Sequence, residues 1–246
     1  MVSLRSANNA HFCGGTIISD RWIVSAAHCT ASRAVSNITI VLGTINQTFG
    51  ATAYSVSRIV NHPEYNAVSR ANDISLLEAK VKIAFNSRVA PATLATNFTG
   101  SGFNATAVGW GQASLTGSTS ELLQFVILRT LSNPDCRMRF DVAQAARVFA
   151  NTICTLTQRG QGTCIGDSGG SLTIGDTIIG VISWGIPCAQ GSYSNEFSFK
   201  MPNLNIFKDL PMSTHVSAVT VSGSILFLES NMLSSFNKIH KNLKKT

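Results

Sequence analysis

The sequence contains many short runs rich in apolar and β-branched residues, joined by segments in which Gly, Asn and Ser are frequent. The runs are four to eight residues long, which is a usual strand length and is too short for a helix of three turns. They are residues 16–19, 37–42, 54–60, 74–77, 104–108, 122–128, 171–174 and 177–184. Gly175 and Asp176 separate the last two runs, which predicts a two-residue hairpin. Many short strands joined by such turns indicate an all-β sandwich or barrel.

Composition excludes several other kinds of protein. Hydrophobic residues make up 44% and charged residues 13% of the 246 residues, whereas disorder requires low hydrophobicity and high charge. The most apolar late stretch, residues 216–228, is shorter than the roughly 20 residues of a spanning helix. The formal charge is +7, but most Arg residues are scattered singly and form no basic stripe before the extreme C-terminus. We therefore expect no membrane span and no nucleic-acid partner.

Cysteines and glycosylation sequons indicate an oxidising, secretory compartment. The six cysteines are well separated, at positions 13, 29, 136, 154, 164 and 188. They allow three disulfides in fifteen connectivities, and no CxxC or nearby His pair has zinc-site spacing, so we expect no metal. The four candidate N-glycosylation sites are Asn37, Asn46, Asn97 and Asn104. Residues 1–6 lack the apolar region of a signal peptide, so we expect a secreted protein with an incomplete N-terminus.

Three short sequences could carry chemistry. His28 follows the apolar run 22–25, and Asp73 leads directly into the run 74–77. Taken alone, such a histidine and such an aspartate are more often structural than catalytic. Ser168 lies between glycines in the sequence 166–170, where a tight turn can present its hydroxyl group and aim backbone N–H groups at an oxyanion.

The same glycines match the G-x-S-x-G pattern of α/β-hydrolases. In that fold the serine stands between a strand and a helix, whereas two predicted strands follow Ser168. The order of His28, Asp73 and Ser168 along the chain is instead that of chymotrypsin-like proteases.

On these residues the chain resembles the trypsin/chymotrypsin family of serine endopeptidases. Seven short sequences match that family in order, from about residue 2 to about residue 192: 11–19, 22–29, 62–66, 72–77, 109–111, 166–170 and 183–185. The resemblance implies an all-β fold of two perpendicular six-stranded antiparallel β-barrels with the active site between them. The protease domain would span 1–195, with one barrel at about 1–95 and the other at about 103–195.

The resemblance also implies a role for each catalytic residue. Ser168 would attack the peptide carbonyl, with His28 as general base and then general acid. Asp73 would hold the tautomer of His28 and stabilise its imidazolium form. The N–H groups of Gly166 and Ser168 would form the oxyanion hole.

Substrate binding and disulfide pairing are implied in the same way. Ser183, Trp184 and Gly185 would line the substrate strand. Gly162 would form the floor of the specificity pocket and, being uncharged, predicts an apolar or aromatic P1 side chain. The implied disulfides are Cys13–Cys29, Cys136–Cys154 and Cys164–Cys188. We expect no calcium and no other cofactor.

Both ends depart from the family pattern. The chain starts after the segment whose freed α-ammonium would pair with Asp167, so we expect a zymogen-like state with a weak oxyanion hole. After Trp184, residues 193–199 retain little of the expected strand, and residues 196–246 read as a poorly ordered basic tail. Within the domain, one helix is predicted from Ser132–Asp135 toward Phe149.

Two functions therefore remain open from the sequence. The first is a secreted, monomeric serine endopeptidase that acts on proteins or peptides and is a target of proteinaceous inhibitors. The alternative is a non-catalytic or zymogen-like protease homologue, which the departures at both ends favour.

Overall fold

The computed structural model of the chain describes residues 1–156, 161–186 and 188, together with the backbone of residues 196–200. All of these lie in one structural unit, Met1–His215. The first six strands are β1 Val2–Arg5, β2 His11–Ile17, β3 Trp22–Ser25, β4 Thr39–Leu42, β5 Thr52–Asn61 and β6 Ser75–Ala79. The remaining strands are β7 Thr93–Leu94, β8 Asn104–Gly109, β9 Gln124–Leu131, β10 Thr152–Leu156, β11 Ser171–Ile174, β12 Thr177–Gly185 and β13 Glu196–Lys200. The helices are α1 Ala27–Thr30, α2 Asn133–Arg137 and α3 Val142–Ala145, with a 3-10 turn at Val35–Asn37.

The first six strands form a closed antiparallel barrel in the order β1-β2-β3-β6-β5-β4. Apolar side chains from every strand of the barrel form a buried core, and Leu4, Ile23, Ile40, Leu76 and Leu77 are among those that are almost completely buried. Burying such side chains contributes about 1.5–3 kcal/mol each. The short apolar runs of the first half are therefore the walls of one core.

The later strands form a second barrel. They pair as one sheet in the order β11-β8-β9-β10-β13-β12-β7, and β11 also pairs with β12. That additional pairing closes six of the strands into a ring, and β7 joins β12 in parallel outside it. Ala107, Leu128, Ile153, Leu172 and Ile179 belong to the core of this ring. The expected all-β class with two six-stranded barrels is confirmed.

Strand β13 differs from what the sequence predicts. The residues before Lys200 were expected to retain little of the family strand, yet β13 pairs with β10 on one side and with β12 on the other. It supplies the strand that closes the ring between them. β13 also lies beyond the predicted domain boundary at residue 195, and residues 201–246 of the predicted tail lie outside the described part of the chain.

The predicted helix after residue 132 is present as two short helices. Ser132 caps α2, since its hydroxyl accepts from the backbone N–H of Asp135 at 3.2 Å. Asp141 caps α3 in the same way, accepting from the backbone N–H of Gln144 at 2.7 Å. The second cap begins a new helix where a single one was predicted. None of the described helices is long and apolar enough to cross a membrane.

The described cysteines are paired as Cys13–Cys29, Cys136–Cys154 and Cys164–Cys188, the pairing that the resemblance implies. The first bond joins β2 to α1, and the second joins α2 to β10. The third ties the segment before Ser168 to the segment after β12.

Three of the four candidate glycosylation sites are accessible. Asn37, Asn97 and Asn104 are exposed. Asn46 is only 6% exposed, and its amide donates to Glu121 Oε1 while its carbonyl accepts from Thr48. A glycan at Asn46 would require breaking these contacts, so the folded structure disfavours this site, and glycosylation here stays a prediction.

Candidate active site

His28 and Asp73 meet because of the order of the strands. β3 and β6 are antiparallel neighbours, with Ser25 opposite Ser75. The residues just after β3 and just before β6 therefore lie at the same end of the sheet. Asp73 Oδ1 accepts a hydrogen bond of 2.7 Å from the backbone N–H of His28. Asp73 Oδ2 lies 2.7 Å from His28 Nδ1.

The Asp73 carboxylate is fully buried and strongly hydrogen-bonded. Besides its two bonds to His28, it accepts a bond of 2.7 Å from the Ser183 hydroxyl of β12. Burial by itself raises the pKa of Asp73, but the bonds from His28 and Ser183 outweigh it and leave the pKa below its usual value. Asp73 is therefore ionised at neutral pH, and the proton of the His28 ring belongs on Nδ1, which leaves Nε2 as the basic nitrogen.

The turn that carries Ser168 packs against the first barrel. The Ser168 carbonyl accepts from Gly14 N on β2 at 2.7 Å. Gly169 has φ of 80°, and a Cβ there would overlap Ser25 Oγ and lie 3.2 Å from Ala26 N. Only glycine fits this close approach. The turn is thus placed on the segment directly before His28, although within the described residues no hydrogen bond joins the Ser168 hydroxyl to His28 Nε2.

Two backbone N–H groups of this turn have no hydrogen-bond partner among the described residues: those of Gly166 and Ser168. The amides of Asp167, Gly169 and Gly170 are bonded to carbonyl oxygens. Gly166 has φ of 99°, a conformation that glycine adopts without strain, and its carbonyl lies 2.9 Å from His11 Nε2. The turn therefore offers two unpaired donors beside the serine.

The Asp167 side chain lies on the side of the turn that faces the second barrel and contacts residues that follow β8 and precede Ser168. Its carboxylate accepts from Gly111 N and from Cys164 N, both at 2.8 Å. A Cβ on Gly109 or Gly111 would overlap this carboxylate, so the two glycines make room for it. Burial raises the pKa of Asp167, and the two backbone bonds offset that effect only in part.

A cavity of about 480 Å³ lies beside Asp167. The ends of β8 and β9 line it on one side, and residues Gln161, Gly162 and Thr163 line it on another. Asp167 is the only ionisable group in the described lining. The cavity is thus mostly apolar with one carboxylate, a combination suited to an apolar group that carries a cation.

The end of β12 offers an open strand edge. β11 pairs with β12 as far as Val181, and Gly169 and Gly170 then bond to Ile182. Beyond that point β13 covers one edge, and no described strand pairs with the other edge of residues 183–185. Trp184 here is half-buried and packs against Phe140, with ring centroids 5.3 Å apart.

One cluster of potential metal ligands occurs in the described chain: Cys13, His28 and Cys29. The two sulfur atoms form a disulfide with each other. They therefore offer no thiolate to a metal ion.

Comparison with known proteins identifies the family. The sequence model of the trypsin family matches residues 1–204. "Trypsin" of Sus scrofa is 34% identical over 196 residues, which cover 77% of this chain and 80% of the relative. "Serine protease 1" of Rattus norvegicus is 36% identical over 193 residues (76% and 74%), and "Trypsin 5G1" of Aedes aegypti is 30% identical over 200 residues (80% and 74%).

The fold and these matches define a trypsin-like serine protease. The chain belongs to the trypsin family. It is a hydrolase of the serine endopeptidase class, and its substrates are proteins.

Two residues of this site were assigned no such role from the sequence. Ser183 was expected to line the substrate strand, yet its hydroxyl is bonded to Asp73. His11 contacts the carbonyl of Gly166, 155 residues further along the chain. No local sequence signal distinguishes either residue, since both contacts join distant segments and depend on how the two barrels pack.

Proposed function

We propose that His28, Asp73 and Ser168 are the catalytic triad of this endopeptidase. The observation that carries the proposal is the pair of hydrogen bonds, 2.7 Å each, that joins the Asp73 carboxylate to the backbone N–H and to the ring Nδ1 of His28. These two hydrogen bonds fix the orientation of the His28 ring and keep its proton on Nδ1, so that Nε2 can accept the serine proton. The packing of the Ser168 turn on Gly14 and Ser25 supports the assignment of the nucleophile.

The chemistry follows from these positions. Ser168 Oγ attacks the peptide carbonyl while His28 Nε2 takes its proton, and Asp73 stabilises the imidazolium that forms. The free N–H groups of Gly166 and Ser168 are available to the developing oxyanion. His28 then protonates the leaving amine, and water hydrolyses the acyl-enzyme by the same steps in reverse.

Replacing the nucleophile tests the triad. Ser168→Ala should abolish casein hydrolysis and fluorophosphonate labelling, because no other group can form the acyl-enzyme. Ser171→Ala, which alters a buried serine of β11 three residues away, is the matched control and should retain both. Full hydrolysis by the Ser168→Ala variant would contradict the assignment.

We further propose an apolar or aromatic P1 preference. The unpaired edge of residues 183–185 supports binding of the substrate as an added strand. Gly162 itself brings no charge to the floor of the specificity pocket that the family resemblance implies, so an Arg or Lys side chain of a substrate buried in that pocket would have no anionic partner at this residue.

Peptide substrates that differ only at P1 test this preference. Phe or Leu should be cleaved with higher kcat/KM than Arg. Gly162→Asp should shift the ratio toward Arg by more than about tenfold, because it supplies the missing charge. Gly162→Asn has nearly the same size without the charge and should leave the preference apolar. Preference of the unmodified protein for Arg would refute the proposal.

Asp167 is proposed to bind an α-ammonium group, and its buried, unpaired carboxylate also favours the zymogen-like alternative. The apolar cavity beside it could receive the attached side chains. Adding the dipeptide Ile-Val to the 246-residue chain should speed fluorophosphonate labelling of Ser168, whereas acetyl-Ile-Val, which lacks the cation, should not. Equal effects of both peptides, or no effect of either, would count against this role of Asp167.

We also propose that the protein is secreted. Three disulfides and three exposed sequons support an oxidising compartment. Proteinaceous inhibitors would bind at the same open edge of β12 as the substrate.

A further inference from the structure

Arg5 is a buried cation without an acidic partner in the described chain. Its side chain is 5% exposed, and the ion pairs of the described residues do not include it. Its donors bond instead to three neutral acceptors: Gln47 O at 2.7 Å, Asn9 Oδ1 at 3.2 Å and Ser3 Oγ at 3.3 Å. Burying an unpaired charge is costly, so its position calls for a role.

The bond to Ser3 continues toward the active site. Ser3 is 1% exposed, and its hydroxyl lies 2.8 Å from His11 Nδ1. His11 Nε2 lies 2.9 Å from the carbonyl of Gly166. Four groups thus form a continuous line from β1 to the turn that carries Ser168.

The two ends of this line fix the direction of every bond. A guanidinium group can only donate and a carbonyl can only accept. His11 must therefore carry its proton on Nε2 to bond to Gly166, and its bare Nδ1 accepts from the Ser3 hydroxyl. The Ser3 hydroxyl donates its hydrogen bond to His11 Nδ1, and its oxygen accepts a hydrogen bond from Arg5 Nε. Each bond of this line therefore has one possible direction.

We propose that Arg5 is a positioning residue that acts through Ser3 to fix the His11 ring, and that His11 thereby fixes the Gly166 carbonyl. The inference rests on the proposed role of Gly166 and Ser168 in the oxyanion hole. Holding the Gly166 carbonyl restricts rotation of the turn whose N–H groups face the substrate, and catalysis by such donors depends on their being fixed in advance.

The charge of Arg5 supports the same arrangement. His11 is held by Ser3, packs edge-on against Trp110 at 5.9 Å between ring centroids, and bonds to Gly166. Among the described residues, Arg5 is the charged group whose electrostatic interaction affects the His11 ring. Burial chiefly lowers the pKa of His11, and the nearby Arg5 lowers it further. A neutral ring is what the direction of the bonds requires.

Ring NMR of the full chain tests the line directly. With ¹⁵N-labelled histidine, and with His11→Gln to assign the signals, His11 should appear as the Nε2–H tautomer at neutral pH. Arg5→Met should raise the pKa of His11, and Arg5→Lys, which keeps the charge, should raise it less. Ser3→Ala should reduce the population of the Nε2–H tautomer. An Nδ1–H tautomer in the unmodified protein, or an unchanged pKa in Arg5→Met, would overturn the proposal.

The rate of fluorophosphonate labelling tests the effect on the turn. Arg5→Met and Ser3→Ala should each slow it about tenfold, less than the 100- to 1,000-fold expected when an oxyanion donor is removed. Arg88→Met removes an exposed arginine and should leave the rate unchanged. If the NMR signals shift while the rate does not, the link from His11 to the Ser168 turn is wrong. If the unmodified protein is not labelled at all, the proposed function fails. The NMR measurement still tests the hydrogen bonds that run from Arg5 through Ser3 and His11 to Gly166.

Discussion

Two buried aspartates of this site have opposite environments. Asp73 is bonded by His28 and Ser183, so its pKa lies below the usual value despite burial. Asp167 receives only two backbone N–H bonds, so burial keeps its pKa above the usual value. The two pKa values differ because of the hydrogen-bond and charge partners, not because of the depth of burial. Side chains stabilise the charge of Asp73, whereas no cation among the described residues pairs with Asp167.

At the residue scale, Asp73→Asn should lower kcat by about 10⁴-fold. An amide in place of the carboxylate can present a donor to Nδ1 and so favour the wrong tautomer of His28. Asp20→Asn, which removes a partner of Lys82 in a surface ion pair, is the control and should retain kcat. Steady-state kinetics on a peptide ester would contradict the prediction if both variants retained activity equally.

Asp167 should also affect the pH dependence of stability. Its folded-state pKa is raised above 3.8, so its contribution to stability is present below pH 3.8 and is lost as the pH rises through the folded-state value. The free energy of unfolding of Asp167→Asn, relative to the unmodified protein, should therefore increase from acidic to neutral pH. Urea unfolding across that range measures it, with Asp176→Asn in the exposed hairpin turn as the control. A difference that falls with rising pH would contradict it.

At the element scale, the loop before β6 is joined to the second barrel next to Asp73. Asn72 has φ of 51°, an unusual conformation for a residue other than glycine. Its side-chain oxygen accepts from Asn151 Nδ2 at 3.2 Å, and its Nδ2 donates to Glu64 O at 3.2 Å. Asn151 directly precedes β10. Asn72 and Asp73 thus each bond to the second barrel.

Breaking this link should lower kcat modestly. Asn72→Gly keeps the backbone conformation and removes the amide, and Asn151→Ala removes the other partner. One hydrogen bond is worth about 0.5–1.5 kcal/mol, so each change should slow turnover roughly two- to tenfold. The double variant should add little to Asn151→Ala if that bond is what matters. Asn86→Ala, an exposed asparagine with a local bond, should have no effect.

Local patterns predicted the strands better than their connections. The hairpin at Gly175 and the runs that became β11 and β12 were predictable because a Gly-Asp pair separates two short runs rich in β-branched residues. Asp141 divided the predicted helix, since a cap competes locally with helix continuation. β13 was missed because its sequence resembles the family strand weakly, while its pairing depends on two partners more than 10 residues away.

The site was predictable only through the resemblance. His28, Asp73 and Ser168 each have an ordinary structural interpretation, and their order along the chain gave the clue. The contacts of Asp73 with Ser183 and of His11 with Gly166 join segments 110 and 155 residues apart. No periodicity or motif encodes such contacts, because they arise when the two barrels pack together.

At the scale of the whole molecule, two disulfides allow global stability to be separated from local positioning. Cys13–Cys29 and Cys136–Cys154 close loops of similar length, with sequence separations of 16 and 18. All four cysteines are buried. Loops of this size predict a similar stabilisation of about 3 kcal/mol for each bond. Only the first bond adjoins His28 and the strand that holds the Ser168 carbonyl.

Removing each bond with paired Cys→Ala substitutions should therefore have equal effects on unfolding and unequal effects on turnover. Both double variants should lose about 3 kcal/mol of unfolding free energy in urea. Measured well below both unfolding midpoints, kcat should fall in Cys13→Ala/Cys29→Ala, because α1 is no longer tied to β2, and should persist in Cys136→Ala/Cys154→Ala. Equal losses of kcat would mean that the first disulfide stabilises the fold without positioning His28.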